Sequence, residues 1–363
     1  LALSPSMALG KGYMNNRLSV ENGTIYDFLQ ILAINVEKGD YHWLHRFFIS
    51  LDTLKKRIHQ LNIIQKSQKN VAHHYDLSGE LYKLFLDNDR QYSCAYFANK
   101  NNSLNKAQLD KKEHIAAKLL LNKNTKVLDI GSGWGGMGIY IARNFGANVR
   151  GITLSKEQLK ESNLRARNDK LDNIVKFDLL DYRMVDDQFD RIVSIGMFEH
   201  VGINHFNQFF KKIYDSLTRD GIALIHTIGR TGPPSVTDPW IRKYIFPGGY
   251  IPSLSEVAPA IEKSGLMVAD IEFLGRHYSE TLKHWQRCFQ SNRTKVKRLY
   301  DEEFCRMWEY YLAASEISFR YLDSTVFQIQ LVKQRHIIPM TREYMTKPIT
   351  NLKKSSTKRT KAA

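Results

Sequence analysis

The sequence lacks the features that place a protein across a membrane or outside the cell. Its 363 residues contain no apolar run of about 18 residues, so no transmembrane helix is predicted. Residues 1–10 show no charged region followed by an apolar one, and therefore no visible signal peptide. Three cysteines are too few to cross-link a secreted fold, and their spacing matches no zinc motif. We expect a reducing, cytoplasmic setting and no bound metal.

Acidic side chains are scarce relative to basic ones. Aspartate and glutamate total 37 against 53 lysines and arginines, which gives a formal net charge of +16. This excess predicts an anionic partner, either a lipid surface or a nucleic acid, and composition does not choose between the two. Part of the excess lies in residues 341–363, for which we predict a disordered basic tail. A solvated tail without a specific partner is the alternative.

Strands and helices are predicted to alternate through the middle of the chain. This alternation indicates βαβ units, a parallel sheet and an α/β fold of the Rossmann-like type, with seven strands when two later apolar runs are included. The predicted strands are residues 126–130, 148–152, 174–177, 189–195, 222–227, 267–274 and 325–332. The predicted helices between the first five strands include residues 156–168, residues 206–217 and a helical pattern that follows residue 136 and runs through residue 145.

Two other regions predict helical additions to this sheet. The Pro- and Gly-rich residues 233–252 and the long helical stretch 280–321 predict a cap over a substrate site, at about 230–262 and 277–322. Before the sheet, helices are predicted at residues 25–36 and 41–51. Large apolar side chains are frequent there, and core packing is favoured over a membrane-facing surface.

A glycine-rich loop follows the first predicted strand. Four of the residues 131–136 are glycine, so backbone N–H groups and a helix N-terminus can face a ligand. The spacing also satisfies the dinucleotide fingerprint, which needs a carboxylate about 20 residues further on. Residues 151–155 contain none. Asp129 before the loop and Trp134 within it favour S-adenosylmethionine over NAD.

Several motifs together resemble the cyclopropane fatty acid synthase family of class I S-adenosylmethionine-dependent methyltransferases. The matching segments are residues 74–78, 91–96, 127–136, 151–158, 196–202, 224–229, 240–249 and 278–285. The resemblance runs from about residue 65 to 332 and implies a catalytic domain over 65–340. It also implies that residues 1–64 are the remainder of a small, mostly helical N-terminal domain whose start is missing.

The resemblance implies transfer of a methylene group from S-adenosylmethionine to the cis double bond of an unsaturated phospholipid acyl chain. Hydroxyl and amide groups near Thr153 and Gln158 would replace the usual ribose carboxylate. The predicted cofactor residues are Tyr92, Ser93, Asp129, Gly131, Gly133, Trp134, Gly135, Thr153, Leu154, Ser155, Gln158, Asp181 and Tyr182.

The reaction requires a dry site and a base, because alkene attack on the sulfonium methyl leaves a carbocation that must lose a proton. The resemblance implies bound bicarbonate as this base. Its implied ligands are Cys94, Glu199, His226, Tyr278 and the backbone of Ile228. Singly, His226 and Glu199 are typical of a core histidine and a helix-start charge, whereas the whole set favours the functional interpretation. Tyr244, Phe246 and Trp285 are candidates to stabilise the cation, with simple packing as the alternative.

Two positions depart from the family pattern, where cysteine is common. Ser315 stands in the predicted helix near residues 311–320, and we leave it out of the site. Ser132 stands inside the glycine loop, where little consequence is expected because the loop acts through its backbone. Cys94 as a nucleophilic thiol is set aside, because the implied mechanism has no covalent enzyme step.

Two other functions stay open. A related lipid methyltransferase would leave a methyl branch, although retention of all five bicarbonate positions favours ring closure. A nucleic-acid binder would use the basic tail, but no nucleic-acid-reading motif accompanies the charge, so we expect no specific nucleic-acid partner. We expect an enzyme bound peripherally at the inner face of the cell membrane through its basic side chains and, by analogy with bacterial relatives, a homodimer.

Overall fold

The computed structural model describes residues 5–36 and 79–346. The strands are β1 Lys126–Ile130, β2 Asn148–Thr153, β3 Val175–Leu179, β4 Phe189–Ile195, β5 Leu217–Arg230, β6 Met267–Phe273 and β7 Ser324–Val332. The helices are α1 Pro5–Met14, α2 Ile25–Val36, α3 Gly79–Phe85, α4 Leu104–Lys118, α5 Gly136–Phe145, α6 Lys156–Asn168, α7 Phe206–Ser216, α8 Pro239–Tyr244, α9 Leu254–Ser264, α10 Gly275–Ser291, α11 Arg293–Leu299, α12 Glu302–Tyr321 and α13 Glu343–Thr346. The predicted helix at 41–51, the motif at 74–78 and the tail beyond residue 346 lie outside the described residues.

The strands form one seven-stranded sheet in the order β3-β2-β1-β4-β5-β7-β6. This confirms the predicted Rossmann-like class. The parallel prediction is right for the first five strands, and β7, whose direction was not predicted, is antiparallel to both neighbours. The reason lies in the connection: α10 begins just after β6, and α12 ends just before β7. The chain re-enters the sheet at the end where it left, since Ser324 pairs with Arg230 at the end of β5.

Apolar side chains cover both faces of the sheet. One face packs against α4 and α5, and the other packs against α7 and α9. A third apolar cluster joins α2, α3, α8, α10 and α12 and contains the buried Trp240, Trp285 and Trp308. The predicted stretch 280–321 is therefore three helices, broken at Asn292 and at Tyr300–Asp301.

Helix α2 follows the core-packing prediction on one face. Ile25, Leu29 and Ala33 are buried, and α2 packs against α12. The opposite face is open, with Ile31 61% exposed and Ile34 40% exposed. Within residues 5–36 and 79–346, no helix is both long and apolar enough to cross a membrane.

Gly151 in β2 provides a test of how the sheet supports the glycine loop. A Cβ at this position would collide with the Phe177 ring and lie 2.9 Å from the Ser132 Cβ. Gly151→Ala should therefore lower the free energy of unfolding by about 1–3 kcal/mol through overpacking. Gly12→Ala is the control, because its Cβ would meet only Leu18 at 3.5 Å. Urea denaturation of both variants measures the difference, and equal stabilities would contradict the prediction.

Candidate active site

The glycine loop between β1 and α5 forms the floor of a pocket at the carboxyl ends of the central strands. The backbone N–H groups of Gly131 and Ser132 each donate to the Ile152 carbonyl oxygen at 2.9 Å, which ties the loop to β2. Gly131 has φ +78°, and a Cβ there would lie 2.8 Å from the Met197 Cβ. This position therefore requires glycine for both conformation and space.

Most of the predicted cofactor residues line this one pocket. They are Tyr92, Ser93, Asp129, Gly131, Gly133, Trp134, Thr153, Leu154, Gln158, Asp181 and Tyr182. Gly135 and Ser155 are not part of its wall. A Cβ at Gly135 would lie 2.8 Å from both Phe177 and Ser162, so close packing explains that glycine. Ser155 caps α6 by accepting from the Gln158 N–H.

Asp129 contributes an unsatisfied acceptor to the pocket. The side chain is 2% exposed, and its Oδ2 has no hydrogen-bond partner. Burial raises the pKa of Asp129 to about 7, although the Gly138 N–H and the Lys111 charge act in the opposite direction. A buried carboxylate of this kind favours a cationic ligand group. The pocket thus fits a ligand such as S-adenosylmethionine, which carries an ammonium group.

The other strand ends supply neutral or internally paired polar groups. The Thr153 hydroxyl donates to Gln158 Oε1 at 2.9 Å, which leaves this end of the pocket polar but uncharged. The Asp181 carboxylate accepts from the Arg183 guanidinium, with Arg183 Nε at 2.8 Å. After β2 the pocket therefore presents an amide and a hydroxyl in place of the ribose-binding carboxylate of the dinucleotide fingerprint.

Tyr92 and Ser93 come from an irregular segment that α4 holds in place. Gln108 Nε2 donates to the Ser93 carbonyl oxygen at 3.0 Å. Lys111 Nζ donates to Gln91 Oε1 and to Ser93 Oγ, both at 2.8 Å. Lys111 is fully buried, and burial lowers the pKa of its ammonium to about 8.

The sequence reasoning missed part of the pocket wall. Gly196 and Met197 directly follow β4, so the rule that ligands bind at the carboxyl ends of parallel strands was the available signal. Arg90 gave no such signal, because it follows no predicted strand. In the fold its guanidinium lies 4.7 Å from the Trp134 ring centroid. The other missed residues are Gln91, Ile130, Met137, Ile152, Leu180, Arg183, Ile195, His200 and Val201.

Two of the predicted catalytic residues bond to each other. The Ile228 N–H donates to Glu199 Oε1 at 2.6 Å, while Glu199 Oε2 is buried without a partner. Burial raises the pKa of Glu199 to about 7, against the lowering effect of the Ile228 N–H. His226 lies two residues before Ile228 on β5, and burial lowers its pKa, so its imidazole is neutral.

Cys94 and Tyr278 belong to the same apolar cluster, against which Ile228 packs. Cys94 Sγ lies 3.8 Å from the carbonyl oxygen of Leu274, the residue that caps α10, and Tyr278 is in the first turn of that helix. Burial raises the pKa of the Cys94 thiol, so the thiol stays protonated and is a poor nucleophile. Over the described ranges, no group of three or more His, Cys, Asp or Glu side chains is placed to hold a metal ion.

Aromatic rings connect this cluster with the pocket. Tyr92 stacks on Trp285 with centroids 5.1 Å apart, and the Tyr92 and Tyr311 hydroxyls are 2.9 Å apart. Phe246 contacts Tyr311 edge-on at 5.9 Å. Tyr244, the third predicted cation-stabilising residue, packs against Trp240 at 5.5 Å.

Glu199 should make the folded state less stable at high pH. Its folded pKa of about 7 lies above its ordinary value of 4.5, so the folded state retains a proton that the unfolded state has released. Stability is therefore lost as pH rises through that range. Glu199→Gln should stabilise the protein at pH 8, by an amount on the order of 3 kcal/mol, and by much less at pH 5. Urea unfolding at both pH values measures this difference.

Glu302 provides a control of opposite sign. Its side-chain hydrogen bond to Arg293 lowers the pKa of Glu302 to about 2, although burial acts in the opposite direction. Glu302→Gln should therefore reduce stability at pH 8, and the loss should shrink only as pH falls towards 2. A Glu199→Gln gain that does not depend on pH would contradict the electrostatic explanation.

Comparisons with known proteins show which family the chain matches. Residues 63–329 match the family model described as mycolic acid cyclopropane synthetase. The chain is 37% identical over 324 residues to cyclopropane-fatty-acyl-phospholipid synthase of Escherichia coli strain K12, covering 89% of this chain and 82% of that protein. It is 39% identical over 287 residues to a probable fatty acid methyltransferase of Pseudomonas putida, covering 76% of this chain and 73% of that protein.

A solved structure gives the same result. Mycolic acid cyclopropane synthase CmaA1 in complex with SAH and CTAB has a TM-score of 0.70 to this chain at 32% identity, covering 75% of this chain and 99% of that one. The predicted family is thus confirmed from both sequence and fold. Because the family model matches most of the residues, this chain belongs to the mycolic acid cyclopropane synthetase family of S-adenosylmethionine-dependent methyltransferases.

Proposed function

We propose that the protein transfers a methylene group from S-adenosylmethionine to the cis double bond of an unsaturated phospholipid acyl chain and closes a cyclopropane ring. The observation that carries this proposal is Glu199, a buried carboxylate with one unpartnered oxygen, in the strand-end region that holds the cofactor pocket. The name of the Escherichia coli relative supports a phospholipid substrate.

The pocket residues bind and orient the cofactor. Asp129 accepts from the ammonium group, and the glycine loop allows close approach of the ligand to the backbone. Thr153 and Gln158 supply hydroxyl and amide groups for the ribose, while Asp181 and Tyr182 line the adenine end. Holding the sulfonium methyl in line with the alkene is worth several kcal/mol of the barrier.

The predicted set of Cys94, Glu199, His226, Tyr278 and the Ile228 backbone suits a bound bicarbonate, which would supply the base that takes a proton from the new methyl group. Glu199 Oε2 is a free acceptor for an O–H donor, and His226 and Tyr278 can donate to an anion. The Ile228 N–H is bonded to Glu199 Oε1, so it must be shared for it to serve a second acceptor. Cys94 contributes a protonated thiol, which is only weakly polar.

Aromatic side chains protect the carbocation. Trp285 is fully buried and stacks on Tyr92, which itself lines the cofactor pocket. Ring faces stabilise a cation without offering a nucleophile, and their bulk excludes water that would quench it. The stacked position of Trp285 supports this role for it more directly than for Tyr244, which packs on Trp240.

The net charge of +16 supports peripheral association with anionic phospholipid at the inner face of the cell membrane. In this proposal, residues 65–340 form the catalytic domain, and residues 230–262 and 277–322 cover the acyl chain. Residues 1–64 assist membrane contact or pairing in a homodimer.

Deuterium labelling tests the reaction. Purified protein, vesicles of a cis-monounsaturated phospholipid and S-adenosylmethionine with a CD3 methyl should give a fatty acid that keeps two of the three deuteriums and has lost its double bond, because one proton is removed from the new methyl. Mass spectrometry of the released fatty acids reads the product. Glu199→Gln should lower the rate roughly 100-fold or more, whereas Glu262→Gln, on the exposed surface of α9, should not.

Other deuterium patterns in the product would change the assigned reaction. A branched chain that keeps all three deuteriums would identify a methyl-branching enzyme, an outcome that the Pseudomonas putida relative's name makes worth testing. Absence of labelled lipid while S-adenosylhomocysteine still binds would contradict the proposed substrate.

Asp129→Asn should weaken S-adenosylhomocysteine binding roughly 10- to 100-fold, because a charge-assisted hydrogen bond to the ammonium is lost. Isothermal titration calorimetry at pH 8 measures the affinity. Asp178→Asn is the matched control. Asp178 also lies near the carboxyl end of a strand, β3, but its carboxylate pairs with Arg150. Equal affinities of both variants would show that Asp129 does not contact the ligand.

A further inference from the structure

Next to His226 lies a chain of polar side chains that the proposed chemistry does not use, two of which are fully buried. Gln328 on β7 is the register partner of His226, and its Nε2 lies 3.1 Å from His226 Nδ1. Gln328 Oε1 accepts from Lys118 Nζ at 2.8 Å. Lys118, the last residue of α4, is fully buried and forms an ion pair with Glu272 on β6.

The ammonium of Lys118 fixes which end of the Gln328 amide faces the histidine. A lysine ammonium has only donors, so the amide atom beside it must be the oxygen. The amide NH2 group therefore faces His226 Nδ1, which must accept and cannot carry a hydrogen. A neutral imidazole then carries its proton on Nε2.

Glu272 provides the counter-charge that keeps the buried Lys118 side chain an ammonium. Burial acts to raise the pKa of Glu272, but His114 and Lys118 outweigh burial and lower it to about 2. His114 Nε2 lies 2.6 Å from the Glu272 carboxylate. Burial lowers the pKa of Lys118, and the Glu272 charge opposes that change. The ammonium therefore has a paired counter-charge in addition to its hydrogen bond to Gln328.

We propose that Gln328, oriented by Lys118, is a positioning residue that holds His226 in the Nε2–H tautomer, so that the ring can donate to an anion in the reaction site. This inference rests on the proposed function, in which His226 acts as such a donor. A role in packing alone would not depend on which Gln328 atom faces the ring.

The chain offers a matched control two residues away. Gln330 lies on the same strand, is equally buried, and bonds to the Lys118 carbonyl oxygen at 2.6 Å and to the Tyr344 hydroxyl at 2.8 Å. It therefore matches Gln328 in residue type, burial and contact with α4, while its two amide atoms are bonded to groups other than His226.

Nitrogen-15 NMR of the full-length protein labelled at histidine tests the proposal, with His226→Gln used to assign the resonances. Wild type should show His226 with a bare Nδ1 and a protonated Nε2. Gln328→Glu keeps the side-chain shape but only accepts, so Nδ1 should become protonated. This variant should lose roughly 10- to 100-fold in kcat with little change in KM for S-adenosylmethionine. Gln330→Leu should change neither the tautomer nor kcat.

Three results would overturn the proposal: a proton on Nδ1 in wild type, an unchanged tautomer in Gln328→Glu, or a changed tautomer with an unchanged kcat. Should Gln328→Glu fail to fold, Gln328→Leu removes the donor and should leave both tautomers populated. A wild-type protein that is inactive on phospholipid would contradict the proposed function, while the tautomer spectra would still decide the role of Gln328.

Discussion

Exclusion of water from the carboxyl ends of the central strands is the constraint on which the site depends. Desolvation raises the pKa of Asp129 and of Glu199 to about 7 and keeps the Cys94 thiol protonated and His226 neutral. In the proposed reaction, the same burial would protect a carbocation and strengthen each hydrogen bond to a charged ligand. Two buried, incompletely paired carboxylates lower the stability of the folded protein, which is a recurrent feature of sites shaped for chemistry.

The sequence predicted the sheet well because its signals are local. Apolar runs and helix periodicity predicted α6 with its observed bounds, and the Gly131–Gly136 loop pointed to the pocket at the strand ends. Strand direction is not a local property, so the antiparallel β7 was missed. The length of β5 was also underestimated, because Leu217 and the polar residues that follow it carry no apolar alternation although Leu217 pairs with Phe189.

Side chains that reach the site from distant elements left no local signal. Arg90 contacts Trp134, which is 44 positions away in the sequence. Lys111 donates to Ser93 from α4, a helix whose many charged residues give no sign of this contact. Gln328 lies in a strand that sequence reasoning placed correctly, yet its importance comes from its register with His226. Such contacts follow from packing, and only the folded structure shows them.

The reversed direction of β7 also determines how α10, α11 and α12 are attached. The chain leaves the sheet at Phe273 and returns at Ser324, and Phe273 pairs with Phe327, three residues after Ser324. Both attachment points therefore lie side by side on neighbouring strands at one sheet end. The three helices are therefore an insertion between two neighbouring strands, and it leaves every pairing of β7 with β5 and β6 in place.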